Sequence, residues 1–227
     1  MGEFLSRIAP PTIAFAGLLV AWELACVFFA IPPFMLPRPT AVATAFWEFR
    51  AELPAHTLFT LQSTVLGFIV SVLVALPLAA VIVAVPIIER AVNPLLVLSQ
   101  AVPKVAVAPI IVLAVGMGLG SKVLICFLIA FFPIIVNSVA GLSLTPPELL
   151  DLSRSYRASA IKTFWKVRFP MAMPFIFSGM KMAITFAVTG AVVGEFVGAD
   201  RGLGYLVMSA TAYWRADLAF ASMLILA

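Results

Sequence analysis

The chain has 227 residues, of which 63% are hydrophobic and only 11% are charged, and its mean hydropathy is +1.16. About a quarter of the residues of a soluble globular domain are charged, so this composition excludes an ordinary water-soluble protein and indicates one solvated mostly by lipid. The formal net charge of +4 does not indicate a nucleic-acid partner, because excess lysine and arginine in membrane proteins is typical of cytoplasmic loops.

Cysteine and histidine are scarce and poorly placed for chemistry. Cys26 and Cys126 both lie inside apolar runs, so neither a disulfide framework nor a metal site is expected. The single histidine, His56, lies at the edge of an apolar run and is expected to be an interfacial side chain. We therefore predict no bound metal and no catalytic residue.

Six apolar segments follow one another along the chain. A helix needs about 20 apolar residues to cross the hydrocarbon core of a bilayer, and only helices or closed barrels satisfy their backbone hydrogen bonds there. The segments are continuously apolar rather than alternating, so the predicted fold class is an all-α integral membrane protein with about six transmembrane helices. The predicted segments are residues 11–31, 57–88, 94–115, 123–144, 170–194 and 216–227.

Prolines and the chain ends give some of these segments special features. Pro77 lies within the second segment, where a kink is expected, and Pro103 and Pro109 lie on either side of Lys104 within the third.

The first segment has no early small-residue cleavage site and is expected to be a retained span rather than a signal peptide. Only ten residues follow Asp217, so the sixth span is expected to continue beyond this sequence.

Two segments expected on the outer side are not simple turns. Residues 32–55 begin with four prolines among eight residues and continue as a short amphipathic stretch whose aromatic residues suit a helix at the membrane interface. Residues 194–215 are rich in glycine and fit either a gate or re-entrant loop or an ordinary surface loop.

The most polar part of the chain is "LLDLSRSYRASAIKTFWKVRFP", residues 149–170. Lysines and arginines crowd into it, and with a cytoplasmic N-terminus the positive-inside rule places it in the cytoplasm, between the fourth and fifth spans. A helix is predicted to begin just before it, with Thr145 as N-cap, Pro146 as the first helical residue and Glu148 completing a capping box.

This predicted helix is amphipathic. Leu149, Leu152 and Tyr156 recur at i, i+3 and i+7 and form one apolar stripe, while Asp151 can pair with Arg154 off the stripe. A second helical piece with basic and aromatic residues then leads to the fifth span. From the pattern alone three roles stay open: the helix lies on lipid headgroups, docks into another protein, or only connects two spans.

The spacing within this segment resembles the cytoplasmic coupling loop, or EAA loop, of ABC importer permeases. The pattern of that loop is Glu-Ala-Ala, three residues, Gly, nine residues and Ile-x-Leu-Pro. Arg157 stands at the glycine position, where glycine adopts positive φ easily and arginine does not. The other matching positions are held by Asp151, Leu152, Ser153, Val167, Phe169 and Pro170.

Further segments, "LPRPTAV", "VPKVAVAPIIVLAVGMGLGSK", "FFPIIVNSVAGL" and "GADRGLGYLV", resemble the nitrate, sulfonate and taurine branch of these permeases. The resemblance covers about residues 36–225. It implies the type I importer permease fold, a single permease domain over residues 1–227 and a coupling loop at residues 145–169. It also implies a bacterial plasma membrane protein with a cytoplasmic N-terminus.

The same resemblance implies a complex, with a second copy of the permease, two cytoplasmic ATPase subunits and an external substrate-binding protein. The chain has no G-x-x-x-x-G-K-[ST] motif, since the glycines and lysine of "GMGLGSK" have another spacing. ATP and magnesium are therefore expected on the ATPases, and no cofactor or enzymatic activity is expected on this chain. The implied solute is small and anionic, like a sulfonate, taurine or nitrate.

Two sets of site residues follow from these expectations. The helix is predicted to dock in a groove on the ATPase, and pathway residues are predicted from polarity within the spans, because charged side chains are costly in lipid. Lys104 has alternatives: it pairs with a helix carbonyl or with Glu23, or it extends to the interface. The predicted coupling residues are Glu148, Leu149, Asp151, Leu152, Ser153, Arg154, Tyr156, Arg157, Ala158 and Pro170. The predicted pathway residues are Gln100, Lys104, Lys181 and Glu195.

Other function classes fit less well. An ion-coupled secondary transporter would need acids within its spans, and only Glu23 and Glu195 qualify, neither with an obvious partner in the sequence. An intramembrane enzyme would need a catalytic set, and one histidine without HExxH-type spacing does not supply it. A membrane scaffold without an ATPase partner is the other alternative that the composition allows.

Overall fold

The computed structural model describes the backbone of residues 2–227 and the side chains of Pro10 and of residues 12–227. All regular structure in that range is helical, which confirms the predicted fold class. The helices are α1 (Gly2–Phe28), α2 (Pro39–Glu48), α3 (Leu53–Ala84), α4 (Pro86–Gln100), α5 (Ala108–Val115), α6 (Leu119–Ser143), α7 (Pro147–Ser155), α8 (Ala160–Thr163), α9 (Phe169–Gly198), α10 (Leu203–Ala212) and α11 (Ala216–Leu226). A 3₁₀ turn, Lys104–Val107, precedes α5, and a π-helical turn, Phe164–Arg168, joins α8 to α9.

The chain folds as two compact units. The first comprises Met1–Leu58 and Arg201–Ala227 and contains α1, α2, α10 and α11. The second comprises Phe59–Asp200 and contains α4 to α9. Helix α3 begins in the first unit and continues through the second. Both sets of predicted site residues belong to the second unit.

Three helical runs are long and apolar enough to cross a membrane: α3, α6 and the continuous run Ala160–Gly198 that contains α9. Helices α4 and α5 pass this test only together, and they are bent by 82° at the break between them. The apolar part of α1 (Thr12–Phe28), α10 and α11 are shorter. By length and composition, the described part of the chain thus has three such helices, or four if the bent pair is one span.

The sharp bend lies in the third apolar segment, which the sequence presented as one span over residues 94–115. The chain leaves the α-helix at Ala101 and passes Pro103 in a non-helical conformation (φ −71°, ψ 87°) before the 3₁₀ turn. Pro109 then occupies the first turn of α5, where the missing N–H of proline costs least. Helix α3, by contrast, is unbroken at Pro77.

Helices α6 and α9 approach each other very closely. A Cβ atom at Gly190 would lie 2.9 Å from the Cα of Cys126, and one at Gly179 would lie 2.9 Å from the carbonyl oxygen of Pro133. Small residues on a helix face permit such contact, which is a principal way in which helices associate in lipid. The buried small residues on this face of α9 are Ala172, Gly179, Ala183, Ala187, Gly190, Ala191 and Gly194.

In the first unit, leucine and alanine side chains of α10 and α11 form a small core, against which aromatic residues of the α2 region pack. Helix α2 confirms the helix expected within residues 32–55, and α10 shows that residues 194–215 are not an ordinary loop. The Glu23 carboxylate accepts hydrogen bonds from the backbone N–H and the hydroxyl of Thr40 (3.1 and 2.9 Å), at the start of α2.

Arg215 connects two elements of the first unit. Its guanidinium donates to the carboxylates of Asp217 and Glu48, at 3.0 Å in each case. These hydrogen bonds, that of Asp217 first, favour the charged form and raise the pKa of Arg215. Arg215 therefore stays charged and ties the start of α11 to the end of α2.

The close approach of α6 and α9 can be tested by adding one methyl group. In a Gly190→Ala variant the new Cβ would overlap the backbone of Cys126, so the helices must move apart. We expect the free energy of unfolding, measured in detergent with denaturant, to fall by about 1–3 kcal/mol. In the control Gly120→Ala the added Cβ would lie 3.8 Å from a methyl of Val115, an ordinary contact. Equal stability of the two variants would contradict the described packing.

Candidate coupling loop and solute cavity

Helix α7 lies in the loop between α6 and α9, as predicted, but it begins differently. It starts at Pro147 with Pro146 at the N-cap position, so the predicted capping box is wrong. The buried Thr145 hydroxyl instead donates to the carbonyl oxygen of Leu142 (3.2 Å). Pro147 suits the helix start, because its missing N–H has no intrahelical partner there in any case. Glu148 still places an acid in the first turn.

The predicted apolar stripe of α7 faces outwards. Leu149, Leu152 and Tyr156 expose 36%, 52% and 80% of their surface. Asp151 and Arg154 form the predicted ion pair at 2.9 Å, and because both side chains are largely exposed the pair stabilises the helix only slightly. An apolar row exposed on a polar helix indicates a surface that a lipid or protein partner covers.

Another side of α7 is attached to the rest of the second unit. The Ser153 hydroxyl donates to the carbonyl oxygen of Leu150 (2.8 Å) and accepts a hydrogen bond from the Thr163 hydroxyl (3.2 Å), which joins α7 to α8. Phe164 packs against the main hydrophobic core. A cavity of about 320 Å³ lies behind α7, next to the end of α3 and the π-helical turn. The loop is therefore held at its base while its outer face stays open.

Arg157, at the position where the family pattern has glycine, adopts the left-handed conformation with φ +52°. Its N–H donates to the carbonyl oxygen of Arg154 (2.8 Å), and the N–H of Ala158 donates to that of Ser153 (3.0 Å). These two bonds form a Schellman motif, a helix end that requires one left-handed residue. The turn thus has the backbone shape that glycine would allow, and arginine adopts it at a cost of about 1 kcal/mol.

The segment that follows α7 continues directly into α9. Ala160–Gly198 is one helical run that passes Pro170. A proline cannot donate the N–H bond that continues an α-helix, and the wider π-helical turn just before Pro170 accommodates this loss. The Arg168 guanidinium donates to the carbonyl oxygen of Val83 (3.3 Å), near the end of α3. Two long helices are therefore connected to the loop.

A second cavity, of about 300 Å³, lies between the α4–α5 break, α6 and α9, and is called here the Lys104 cavity. Two predicted pathway residues, Gln100 and Lys104, line it. The Lys104 ammonium donates to the carbonyl oxygen of Ser99 (2.9 Å) and lies 4.5 Å from the ring centroid of Phe132. Lys104 thus pairs with a helix carbonyl, one of the expected alternatives, and also forms part of the cavity wall.

Lys181 is not among the residues that line the Lys104 cavity. It belongs to a polar stripe on α9 formed by Ser178, Lys181, Thr185 and Thr189, all exposed and spaced at i, i+3, i+7 and i+11. A lysine near the middle of a 30-residue apolar helix is costly against lipid. This face of α9 therefore indicates contact with water or with protein.

Glu195 lies apart from the Lys104 cavity, in a buried polar cluster. The residue is 2% exposed, accepts a hydrogen bond from the Thr60 hydroxyl (2.8 Å) and interacts electrostatically with Lys122. Lys122 is fully buried, and its ammonium donates to the carbonyl oxygens of Met117 (2.6 Å) and Gly198. Lys122 thus ties the start of α6 to the end of α9. The sequence did not predict this role of Lys122, because only the packing of two helices far apart in sequence brings Lys122, Glu195 and Gly198 together.

The other polar groups considered from the sequence have partners within the protein. Glu23 and Glu195, the two acids that an ion-coupled carrier would use, each accept a hydrogen bond from a threonine hydroxyl. His56 accepts a hydrogen bond from the N–H of Gly202 (3.0 Å) and stacks on Tyr205 with ring centroids 6.0 Å apart. Among the described side chains, three or more potential metal ligands do not come together.

The apolar helices indicate a multi-pass membrane protein. The polar helical loop with its exposed stripe, together with the partly polar cavity, indicates a protein of the transporter class. The chain belongs to the family described as binding-protein-dependent transport system inner membrane component, which matches residues 67–227. This result confirms the permease family, and the helical permease fold, that the coupling-loop residues led us to expect.

Several relatives are similar over most of their length. The probable ABC transporter permease protein of Haemophilus influenzae is 37% identical over 220 residues, 97% of this chain and 90% of the relative. The riboflavin transport system permease protein of Chloroflexus aurantiacus is 39% identical over 212 residues, 92% and 79% of the two chains. The formylaminopyrimidine transport permease protein of Halalkalibacterium halodurans is 35% identical over 196 residues, 86% and 78%.

Relatives of the nitrate, sulfonate and taurine branch, which the sequence led us to expect, are also found. The taurine permease protein and the putative aliphatic sulfonates permease protein of Escherichia coli are 27% and 28% identical, over 93% and 99% of this chain and 80% and 86% of theirs. The nitrate import permease protein of Leptolyngbya laminosa is 26% identical over 92% of this chain and 78% of its own. These relatives confirm the branch, while the riboflavin and formylaminopyrimidine proteins widen the range of solutes in it.

The left-handed turn at Arg157 predicts opposite effects for two Arg→Gly substitutions. Arg157→Gly removes the strain of a side chain at positive φ, so the free energy of unfolding should stay equal or rise by up to about 1 kcal/mol. Arg154→Gly places glycine within α7 and should lower it by about 0.5–1 kcal/mol. Thermal unfolding of the purified variants in detergent measures both changes. A loss of stability in Arg157→Gly as large as that in Arg154→Gly would contradict the described turn.

Proposed function

We propose that this protein is the membrane-spanning permease subunit of an ATP-driven importer and that α7 docks on its ATPase. The exposed apolar stripe of Leu149, Leu152 and Tyr156 carries this proposal. A groove on a protein suits this helix better than an anionic membrane surface, because the stripe is narrow and Glu148 and Asp151 are acidic. The proposed coupling residues are Glu148, Leu149, Asp151, Leu152, Ser153, Arg154, Tyr156, Arg157, Ala158 and Pro170.

Residues 1–227 act as one permease domain within a larger complex in this proposal. Its other parts are a second copy of this chain, two ATPase subunits and an external substrate-binding protein. ATP and magnesium bind to the ATPases, because this chain has no P-loop motif, and the chain itself is not an enzyme. The complex lies in the bacterial plasma membrane, with the N-terminus and the basic segment of residues 149–170 in the cytoplasm.

The connections of α7 support a coupling role. The hydrogen bond between Thr163 and Ser153 joins α7 to the helical run that becomes α9, and Arg168 binds the end of α3. Because α9 packs on α6 without space between them, the two helices respond to a movement of the loop as one body. Closure of the ATPases would therefore bias a switch between inward-open and outward-open states.

The proposed solute is small and carries negative charge or carbonyl oxygens. Lys104 and Lys181 favour an anion, because a cation that lines a passage attracts one. Relatives named for taurine, sulfonates and nitrate support such a solute, and those named for riboflavin and formylaminopyrimidine extend the class to heteroaromatic compounds. Gln100, Lys104 and Lys181 are the proposed pathway residues, and Glu195 is assigned a positioning role beside Lys122.

The docking role of α7 is tested by a double substitution. Leu152→Asp with Tyr156→Asp should abolish association with the ATPase, because each charge would be buried against an apolar groove without a partner. The measurement is co-purification, from detergent-solubilised membranes, of the ATPase encoded in the adjacent reading frame. Ser155→Asp, at an exposed position of the same helix outside the stripe, is the control and should retain the ATPase. Intact co-purification of the double variant would refute this role.

The exposed polar stripe of α9 predicts that Lys181 faces water in the assembled transporter. A Lys181→Cys variant should react with a charged, membrane-impermeant methanethiosulfonate about tenfold faster than Leu73→Cys, because the thiolate reacts only where water reaches it. Leu73 is the control, an exposed apolar residue of α3. Both native cysteines are fully buried and add little background. Equal rates at the two positions would show that Lys181 does not line an aqueous passage.

A further inference from the structure

We propose that the Lys104 cavity is a binding site for a planar aromatic or heteroaromatic solute whose anionic group or ring carbonyl contacts Lys104. The inference rests on the proposed permease function, because it assigns the substrate class of that permease. It differs from the small anion that the resemblance to the nitrate, sulfonate and taurine branch implies.

The walls of the cavity are mostly apolar and aromatic. Phe132 on α6 and Phe186 and Met182 on α9 line it, and its volume of about 300 Å³ is at the lower end of the range of small-molecule sites. Flat ring systems stack on phenylalanine and make favourable contacts with methionine sulfur. A nitrate or sulfonate ion would lose its hydration against such walls, which is costly without several polar partners. The lining therefore favours a ring over a small inorganic anion.

A few polar groups are placed to orient such a ring. The Lys104 ammonium has three donors, of which one is used by the carbonyl oxygen of Ser99. It is also held over the ring of Phe132, so its position is fixed before a solute arrives. The Asn137 amide lines the same cavity and uses its nitrogen to donate to the carbonyl oxygen of Pro133 (2.8 Å), which leaves its oxygen as an acceptor. One donor and one acceptor match the edge of a heteroaromatic ring.

The break between α4 and α5 is a second, independent pointer to this position. Residues 101–103 are not helical, and the two helices meet at 82°. Non-helical backbone at membrane depth is tolerated only where it is buried in protein or lines a water-filled cavity, because lipid cannot satisfy its polar groups. Gln100, Val102 and Lys104, on either side of the break, all line the cavity. The bend therefore opens the cavity and places Lys104, the only cation among the described lining residues, in its wall.

The test uses the full chain together with its ATPase in lipid nanodiscs, with saturation-transfer difference NMR as the readout, because this method detects weak ligands. The probes are riboflavin and nicotinate, which are aromatic, and taurine, which is not. Val136→Trp fills the cavity, and Lys104→Met removes its charge without adding volume. Leu113→Trp, on the exposed face of α5, is the control for an added indole.

The proposal predicts binding of at least one aromatic probe to the wild-type complex, weakened by about tenfold in Val136→Trp and in Lys104→Met and unchanged in Leu113→Trp. A stronger riboflavin signal assigns the Lys104 contact to a carbonyl, and a stronger nicotinate signal assigns it to an anion. The proposal is overturned if neither aromatic probe exceeds empty nanodiscs, if both cavity variants bind like wild type, or if taurine binds as tightly. Co-purification of the ATPase in each sample separates this result from failure of the permease function.

Discussion

The close packing of α6 on α9 is the constraint on which the rest of the second unit depends. Lipid supplies no hydrophobic force between helices, so direct backbone contact, as between Gly190 and Cys126, has to hold them together. The two helices run antiparallel, and the loop that contains α7 connects them. A rigid pair therefore carries the loop at one end, the Lys104 cavity along its side and the buried Lys122 cluster at the other end.

This arrangement explains the positions of polar side chains in a chain that is otherwise mostly apolar. Lys122 is satisfied inside the protein by the carbonyl oxygens of Met117 and Gly198, whereas Lys181 lies on an exposed face of α9 that another molecule would cover. The Lys104 cavity combines both, because Lys104 donates to the carbonyl oxygen of Ser99 and also lines an open cavity.

Sequence reasoning predicted the helical membrane fold, the place of α7 and the Asp151–Arg154 pair, because hydrophobic periodicity and local charge spacing determine them. The capping box failed, because the Thr145 hydroxyl bonds to the preceding turn while two prolines start the helix. The left-handed Arg157 could not be read from its residue type, since arginine rarely adopts that conformation. The 82° bend lies at Pro103, which sequence analysis noted without predicting a break there, whereas the Lys122 cluster depends on packing between distant segments, which no local pattern encodes.

We propose that nucleotide bound to a separate ATPase changes the Lys104 cavity through α7 and the α6–α9 pair. The most direct measurement is the labelling rate of Val136→Cys, inside the cavity, in the assembled complex without nucleotide and with ATP and vanadate. Both native cysteines are fully buried, so the new thiol dominates the signal. The account predicts that the rate changes by about tenfold between the two states, because water reaches the cavity in only one of them. An equal rate in both states, with the ATPase bound and hydrolysing ATP, would contradict it.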